Sequence, residues 1–195
     1  MIKRQAEARI PSRWGEFQMV AYAANADERM PHLALVSKDF DPNKPTPVRI
    51  HSECMTGDVF SSKKCDCGEQ LDASLRIAAE RGGVVIYLRQ EGRGIGLINK
   101  LKAYNLQEEG LNTIDANTHL GSDADARQYE CAIFMLQDLG ISEIELITNN
   151  PEKEAAMKKS PIRVLRRIPV VIPPHAENEA YLKTKQDLMG HMLGI

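Results

Sequence analysis

Cys54, Cys65 and Cys67 bring three of the chain's four cysteines into a stretch of fourteen residues. No other feature restricts the fold so tightly, because the three thiols can serve one ion only if residue 54 and residues 65–67 meet. The spacing C-x10-C-x-C differs from that of most structural zinc modules, which use paired C-x2-C knuckles. Three thiolates on one zinc leave a fourth position open, and an open site can bind and activate water where a closed one holds structure. They also leave a net charge of about −1, so such a water is a weaker acid than in a three-histidine site and benefits from a nearby proton acceptor. His51 is a candidate fourth ligand. In a strand, however, its odd separation from Cys54 puts the two on opposite faces. The alternative, three small hydrophobes in a core, conflicts with the flanking Lys63, Lys64, Asp66 and Glu69. Cys131, among Ala132, Ile133 and Phe134, fits a core helix.

Length and charge narrow the setting. A chain of 195 residues supports one sizeable core or at most two small ones. A formal net charge of −2 argues against bulk nucleic-acid binding, which favours strongly basic domains, but leaves room for a local basic pocket around one small anion. The basic N-terminus is not followed by an apolar run, and no apolar stretch reaches the length of about 18 residues that a membrane span needs. A cytoplasmic setting is therefore expected. Thiols stay reduced there, and clustered cysteines act as ligands or catalysts.

Periodicity changes along the chain. Residues 5–10, 15–22, 32–37 and 47–54 read as strands, with Phe17, Met19 and Ala21 alternating against polar or small partners. After Cys67 the texture turns helical. Leu71, Leu75, Ala78 and Ala79 share a face that closes at Gly82-Gly83. A buried strand over 84–88, helices over 96–110 and 125–140, a strand over 144–148, a helix over 151–159, strand material over 163–172 and a last helix over 176–193 follow. A β-rich start and later alternation predict an α/β class. The expected fold is a single compact domain over 1–195, with a mixed β-sheet flanked by helices.

Four further segments carry chemistry. RQEGRGIG (89–96) follows the strand 84–88 and opens a helix. That geometry holds phosphate on backbone N–H groups, with Arg89 and Arg93 as guanidinium donors. It is neither a P-loop nor a dinucleotide fingerprint, and a tight structural turn explains it equally well. RIHSE (49–53) puts Arg49, His51 and Glu53 on one strand face beside the cysteines. This is costly to bury unless paired or in use, and a solvated face is the alternative. In HLGSDADAR (119–127), Ser122 and Asp125 resemble a capping box, while Arg127 lies where a helix dipole disfavours positive charge, which suggests an anion. TNNPEK (148–153) is a strand end and helix start carrying Lys153, and ligands gather at such carboxyl ends.

Together and in this order, RIHSECMTGD (49–58), CDCGEQ (65–70), RQEGRGIGL (89–97), ANTHLG (116–121), the Asp125–Arg127 pair and LITNNPEK (146–153) resemble GTP cyclohydrolase II of riboflavin biosynthesis. The resemblance runs from Trp14-Gly15 to Met189-Gly-His191 and implies a zinc enzyme that hydrolyses GTP to formate, pyrophosphate and 2,5-diamino-6-ribosylamino-pyrimidinone 5′-phosphate. It implies zinc on Cys54, Cys65 and Cys67, with an activated water directed at C8 of guanine. It implies Tyr104 beside that water, Asp125 as proton acceptor and Arg127 in pyrophosphate displacement. The GTP contacts it implies are Arg49, Ile50, His51, Ser52, Glu53, Gln70, Glu91, Gly92, Arg93, Thr113, Thr148 and Lys153. Mg²⁺ is expected on the triphosphate, and a homodimer is expected, with neither nucleic acid nor membrane as partner. Asp125 and Arg127 are two apart and do not face each other on a regular helix. Either that helix begins later, or the two act on different parts of the substrate. Arginine's pKa above about 12 makes charge stabilisation an alternative to nucleophilic attack. Competing readings are a zinc nucleotide deaminase, which lacks its P-C-x-x-C signature here, and a non-catalytic nucleotide-binding module, which requires a fourth protein ligand.

Overall fold

The computed structural model describes residues 1–111 and 128–194. Seven strands form one mixed sheet: β1 (Lys3–Ser12), β2 (Gly15–Ala23), β3 (His32–Ser37), β4 (Thr46–Ser52), β5 (Val84–Leu88), β6 (Glu143–Ile147) and β7 (Arg163–Ile168), in the order β1-β2-β3-β5-β4-β6-β7. The described helices are α1 (Met55–Asp58), α2 (Cys67–Arg81), α3 (Gly96–Glu108), α4 (Glu130–Asp138), α5 (Pro151–Lys158) and α6 (Glu179–Met189), with a 3₁₀ turn over Glu91–Gly94. The α/β class and the mixed sheet are as expected. The pairs β1–β2, β2–β3 and β3–β5 are antiparallel, and β4–β6 and β6–β7 are parallel.

By its internal contacts the chain divides into two units. The first, the sheet unit, comprises Met1–His51, Leu71–Arg89 and Tyr129–Val170. Its core joins Val20, Ala34, Val48, Ile50, Ile86, Leu88, Met135, Leu136, Ile144, Leu146 and Met157. β4 is buried along nearly its whole length, as a strand between β5 and β6 must be. The apolar face of α2 packs Leu75 and Ala78 against Phe17 and Val85, as its periodicity predicts. Cys131 packs partly buried against the larger cluster, in keeping with its expected core position. α5 starts where local chemistry dictates: the Asn150 side chain accepts from the Glu152 N–H at 2.8 Å, Pro151 occupies the first turn, and Glu152 and Glu154 complement the helix dipole.

The second unit comprises Ser52–Gln70, Gln90–Gln128 and Val171–Ile195. It carries α1, the 3₁₀ turn, α3 and α6.

Several boundaries differ from expectation. The fourth strand ends at Ser52 instead of 54, because the chain turns at Cys54 into α1: the Asp58 carboxylate accepts from the Cys54 N–H at 2.9 Å and the Cys54 carbonyl accepts from the Asp58 N–H at 2.7 Å. β7 stops at Ile168 because Pro169 has no N–H for a ladder. The helix expected over 125–140 begins at Glu130, because Tyr129, at φ −115° and ψ 1°, is not yet helical. The last helix is shorter than expected and ends at Gly190 in a left-handed cap, φ 63°. The capping box expected of Ser122 and Asp125 lies outside the described residues.

Candidate metal centre

Cys54 sits at the entry to α1, Cys65 in the loop before α2 and Cys67 at the first residue of α2. All three Sγ atoms lie within 4.8 Å of one another, and Cys54 and Cys65 are 3.6 Å apart. Two sulfurs on a tetrahedral zinc, each about 2.3 Å from the ion, are separated by about 3.8 Å, so the trio has the span of a metal face. All three cysteines are free, and 3.6 Å is far beyond a disulfide length of about 2.05 Å. Cys54 and Cys65 are buried.

The close approach depends on two glycines. A Cβ on Gly57 would stand 3.0 Å from the Cys65 sulfur, and one on Gly68 would stand 2.3 Å from the Gly57 carbonyl oxygen. No Cβ fits at Gly68 where CMTGD and CDCG interlock, and one at Gly57 would require the Cys65 sulfur or the Gly68 backbone to give way. Ionisation is equally telling. Hydrogen bonds from the Cys65 and Cys67 thiols, joined by the Lys100 ammonium, hold Cys54 far below the usual thiol range. The hydrogen bond to that thiolate pushes Cys65 up to about 11, and Cys67 is raised by the same contacts and by burial. Protein groups thus stabilise one thiolate, whereas a dication would let all three ionise. Among the described residues this is the one cluster of metal-ligating side chains, and it fits zinc.

Around it, Lys100 donates to Cys54 Sγ at 3.1 Å and to Glu91 Oε1 at 2.8 Å. The other Glu91 oxygen accepts from the Met55 N–H at 2.6 Å, so the glycine–arginine turn is latched onto the residue after Cys54. Tyr104, one helical turn beyond Lys100, is in hydrogen-bond contact with Thr56, and burial raises its phenol above the ordinary value, so its proton is retained at neutral pH. Thr56 Oγ1 is also 3.6 Å from Cys54 Sγ. Tyr104 therefore reaches the cysteine cluster through one intervening side chain. Gln70 donates to Asp66, the residue between the two ligand cysteines.

The turn over Glu91–Gly94 has an unusual backbone. Gly92 and Arg93 are consecutive left-handed residues, φ 63° and 61°, followed by Gly94 at 94° and Gly96 at 81°. For Arg93 that conformation costs about 1–2 kcal/mol. Its Nη1 is buried with no hydrogen-bond partner among the described residues, and α3 opens without a side-chain cap. A run of such N–H groups ahead of a helix, with an unsatisfied guanidinium nitrogen, suits an anion.

In the sheet unit, Arg49, Ile50 and His51 lie on β4 and Thr148 follows β6, so parallel pairing gathers them at the carboxyl ends of the two strands. Arg49 donates to the Ile147 carbonyl at 3.2 Å, and Lys153, on α5, donates to the Ile50 carbonyl at 2.8 Å. The Thr148 hydroxyl accepts from the Asn150 N–H at 3.0 Å. His51 stacks on Tyr87, ring centroids 5.5 Å apart, and is not one of the clustered metal-ligating groups. The solvated face considered for the 49–53 stripe is wrong: Arg49, His51 and Glu53 are all buried, and Glu53 lies past the end of β4. Ser52, the last residue of β4, has its hydroxyl buried and without a hydrogen-bond partner among the described residues. Thr113, Asp125 and Arg127 lie outside the described residues.

Sequence reasoning missed Lys100, Thr56 and Asp58. Lys100 had a signal, since it precedes Tyr104 by four residues and shares its helical face. Thr56 and Asp58 had only their place in the segment after Cys54.

Three clustered cysteines that could hold a metal, with a glycine–arginine turn suited to an anion latched to them, fit the class of metal-dependent proteins that take anionic substrates. The comparisons make the class specific. Residues 3–169 match the family model of GTP cyclohydrolase II, and the chain belongs to that family. It is 47% identical over 194 residues to the riboflavin biosynthesis protein RibBA of Chlorobium phaeovibrioides, covering 99% of this chain and 47% of that protein. It is 46% identical over 196 residues to RibBA of Bacillus cereus, covering 100% and 49%. The chain thus spans about half the length of the curated relatives it matches. A solved two-domain 3,4-dihydroxy-2-butanone 4-phosphate synthase from A. baumannii aligns at TM-score 0.47 and 18% identity over 86% of this chain and 40% of that one, too distant to bear on function. No described helix is long and apolar enough to cross a membrane.

Proposed function

We propose that the chain hydrolyses GTP to formate, pyrophosphate and 2,5-diamino-6-ribosylamino-4(3H)-pyrimidinone 5′-phosphate, with zinc held by Cys54, Cys65 and Cys67. The observation that carries this reading is the cluster of three cysteine sulfurs within 4.8 Å in a chain of the GTP cyclohydrolase II family. Zinc, when bound, supplies a Lewis acid and an activated water, the chemistry that opening the guanine imidazole ring needs.

The chain's own residues do the rest. Lys100 offsets the excess negative charge of three thiolates and keeps Glu91 in place. Tyr104, protonated at neutral pH, donates a hydrogen bond where charge develops on the purine ring. Gly92 and Arg93 take the phosphates, Glu91 holds the turn that presents them, and Mg²⁺ neutralises the triphosphate. Arg49, Ile50, His51, Ser52, Glu53, Gln70, Thr113, Thr148 and Lys153 hold the remainder of GTP. Asp125 accepts a proton, and Arg127 acts on the α-phosphate, as nucleophile or as stabiliser of its charge. We further propose that residues 1–195 act as one such domain, as a homodimer in the cytoplasm, without nucleic-acid or membrane partners.

The test is incubation with GTP and Mg²⁺, with and without a zinc chelator, with formate and pyrophosphate assayed in the same tube. Both products, lost together on chelation, are expected. Ammonia without formate would indicate a deaminase, and neither product from a folded, zinc-loaded sample would overturn the proposal.

A further inference from the structure

The family match ends at residue 169, whereas Lys185 lies on α6 beyond it. Its ammonium donates to Asp66 Oδ1 at 2.8 Å, with side chains 9% and 1% exposed. The same ammonium sits 4.5 Å from the centre of the Tyr181 ring, one turn earlier on α6. Asp66 is the single residue between the ligand cysteines Cys65 and Cys67. Its other carboxylate oxygen accepts from the Gln70 side chain, and its carbonyl accepts from the Gln70 N–H at 2.9 Å. One side of Asp66 is thus tied to the first turns of α2 and the other to α6. Both ligand sulfurs hang from the peptide units flanking a residue that cannot shift without breaking a buried ion pair. Exposed pairs on α6, such as Lys183 with Glu179, have no such reach.

We infer that Lys185 is a positioning residue for the metal centre: through Asp66 it fixes the Cys65–Cys67 loop in the geometry that binds zinc, which makes the C-terminal helix part of the centre. The inference rests on the zinc reading proposed above, and its test separates the two. Zinc affinity of the full chain is measured by competition with a chromogenic chelator, together with the melting temperature with and without zinc. Outer-shell partners of metal ligands are typically worth about 10–100-fold in affinity. Lys185→Met is expected to weaken zinc binding by that factor and to shrink the zinc-induced rise in melting temperature. Lys185→Arg is expected to restore most of both, and Lys183→Ala to change neither.

A purely structural Lys185 would lower the melting temperature equally with and without zinc and leave affinity intact, which overturns the inference. If Lys185→Met does not fold, Asp66→Asn keeps the shape and removes the ion pair, and wild-type zinc affinity in that variant overturns it equally. A folded wild-type chain that binds no zinc overturns the metal reading itself.

Discussion

In the sheet unit Ile50, Ile86, Leu88, Met135, Leu136, Ile144, Leu146 and Met157 are all fully buried in one cluster. In the cysteine unit the buried apolar side chains among the described residues are Cys54, Cys65, Ala103, Leu182 and Leu193, while Glu53, Asp66, Asn178 and Lys185 are buried too. The first is a core of the ordinary kind, stabilised by removing apolar surface from water at about 25 cal/mol per Å². The sheet unit buries Arg49, His51 and Lys153 in addition to that core, whereas the second unit has few buried apolar side chains and holds Glu53, Asp66 and Lys185 among them, and buried charge stabilises only when it is matched. The difference teaches where the metal matters. The sheet unit's core is apolar packing, whereas in the cysteine unit a dication would let all three clustered cysteines ionise, so we expect metal binding and the ordering of that unit to be linked.

The strongest way to break this contrast is Cys65→Ser. Loss of one of three ligands is expected to reduce zinc from one ion per chain to none and formate release to background, while the far-UV circular dichroism of the strands persists. Bound zinc by metal analysis and formate by assay check it. A variant that keeps its zinc would mean that the cluster is not the metal site.

Leu146→Ala addresses the other unit. Leu146 is fully buried in β6, and truncation of such a leucine costs about 2–5 kcal/mol. Urea denaturation should show that loss with zinc stoichiometry unchanged in the folded protein. Zinc lost in step with stability would remove the distinction between the units.

The same division explains what could be read from the chain. The sheet unit was legible almost element by element, because period-two and helical patterns reflect burial of apolar side chains, and burial is what forms it. Errors there were at ends: β7 was overrun past Pro169, and 47–54 was extended through two residues that turn. The cysteine unit was legible as chemistry, through Cys54, Cys65, Cys67 and the 89–96 turn, but not as contacts. Nothing in spacing alone pairs Lys185 with Asp66, 119 residues away, or brings Lys100 onto Cys54. The burial of Arg49, His51 and Glu53 was also hidden, since a charged stripe looks the same in sequence whether solvated or enclosed.

Arg93→Gly sharpens the comparison within the cysteine unit. Glycine adopts φ 61° without penalty, so stability should rise by about 1 kcal/mol. Removing a guanidinium assigned to phosphate should raise the KM for GTP roughly tenfold, the scale of a lost charged hydrogen bond of about 1.5 kcal/mol. Stability and affinity are therefore expected to move in opposite directions, as for a strained residue kept for function. An unchanged KM would reduce the turn to a structural one.

The smallest effect belongs to the sheet unit's own electrostatics. Asp138 Oδ2 accepts from the Tyr22 hydroxyl at 2.7 Å and from Arg4 Nε at 3.0 Å. Burial alone would raise this carboxyl, but the bonds from Tyr22 and Arg4 override it and hold it below the ordinary value. A carboxylate depressed in the folded state favours folding above its unfolded pKa of about 3.9, and that contribution is lost as pH falls through the folded value. Asp138→Asn should therefore lower the melting temperature slightly at neutral pH, and the gap from wild type should close below about pH 4. Zinc affinity at neutral pH should be untouched, since Asp138 ends α4 in the sheet unit. A gap that stays constant into acid would show that the carboxylate's charge plays no part, leaving only its hydrogen bonds. A change in zinc affinity would show instead that the metal centre depends on the sheet unit's charges, against the separation argued above.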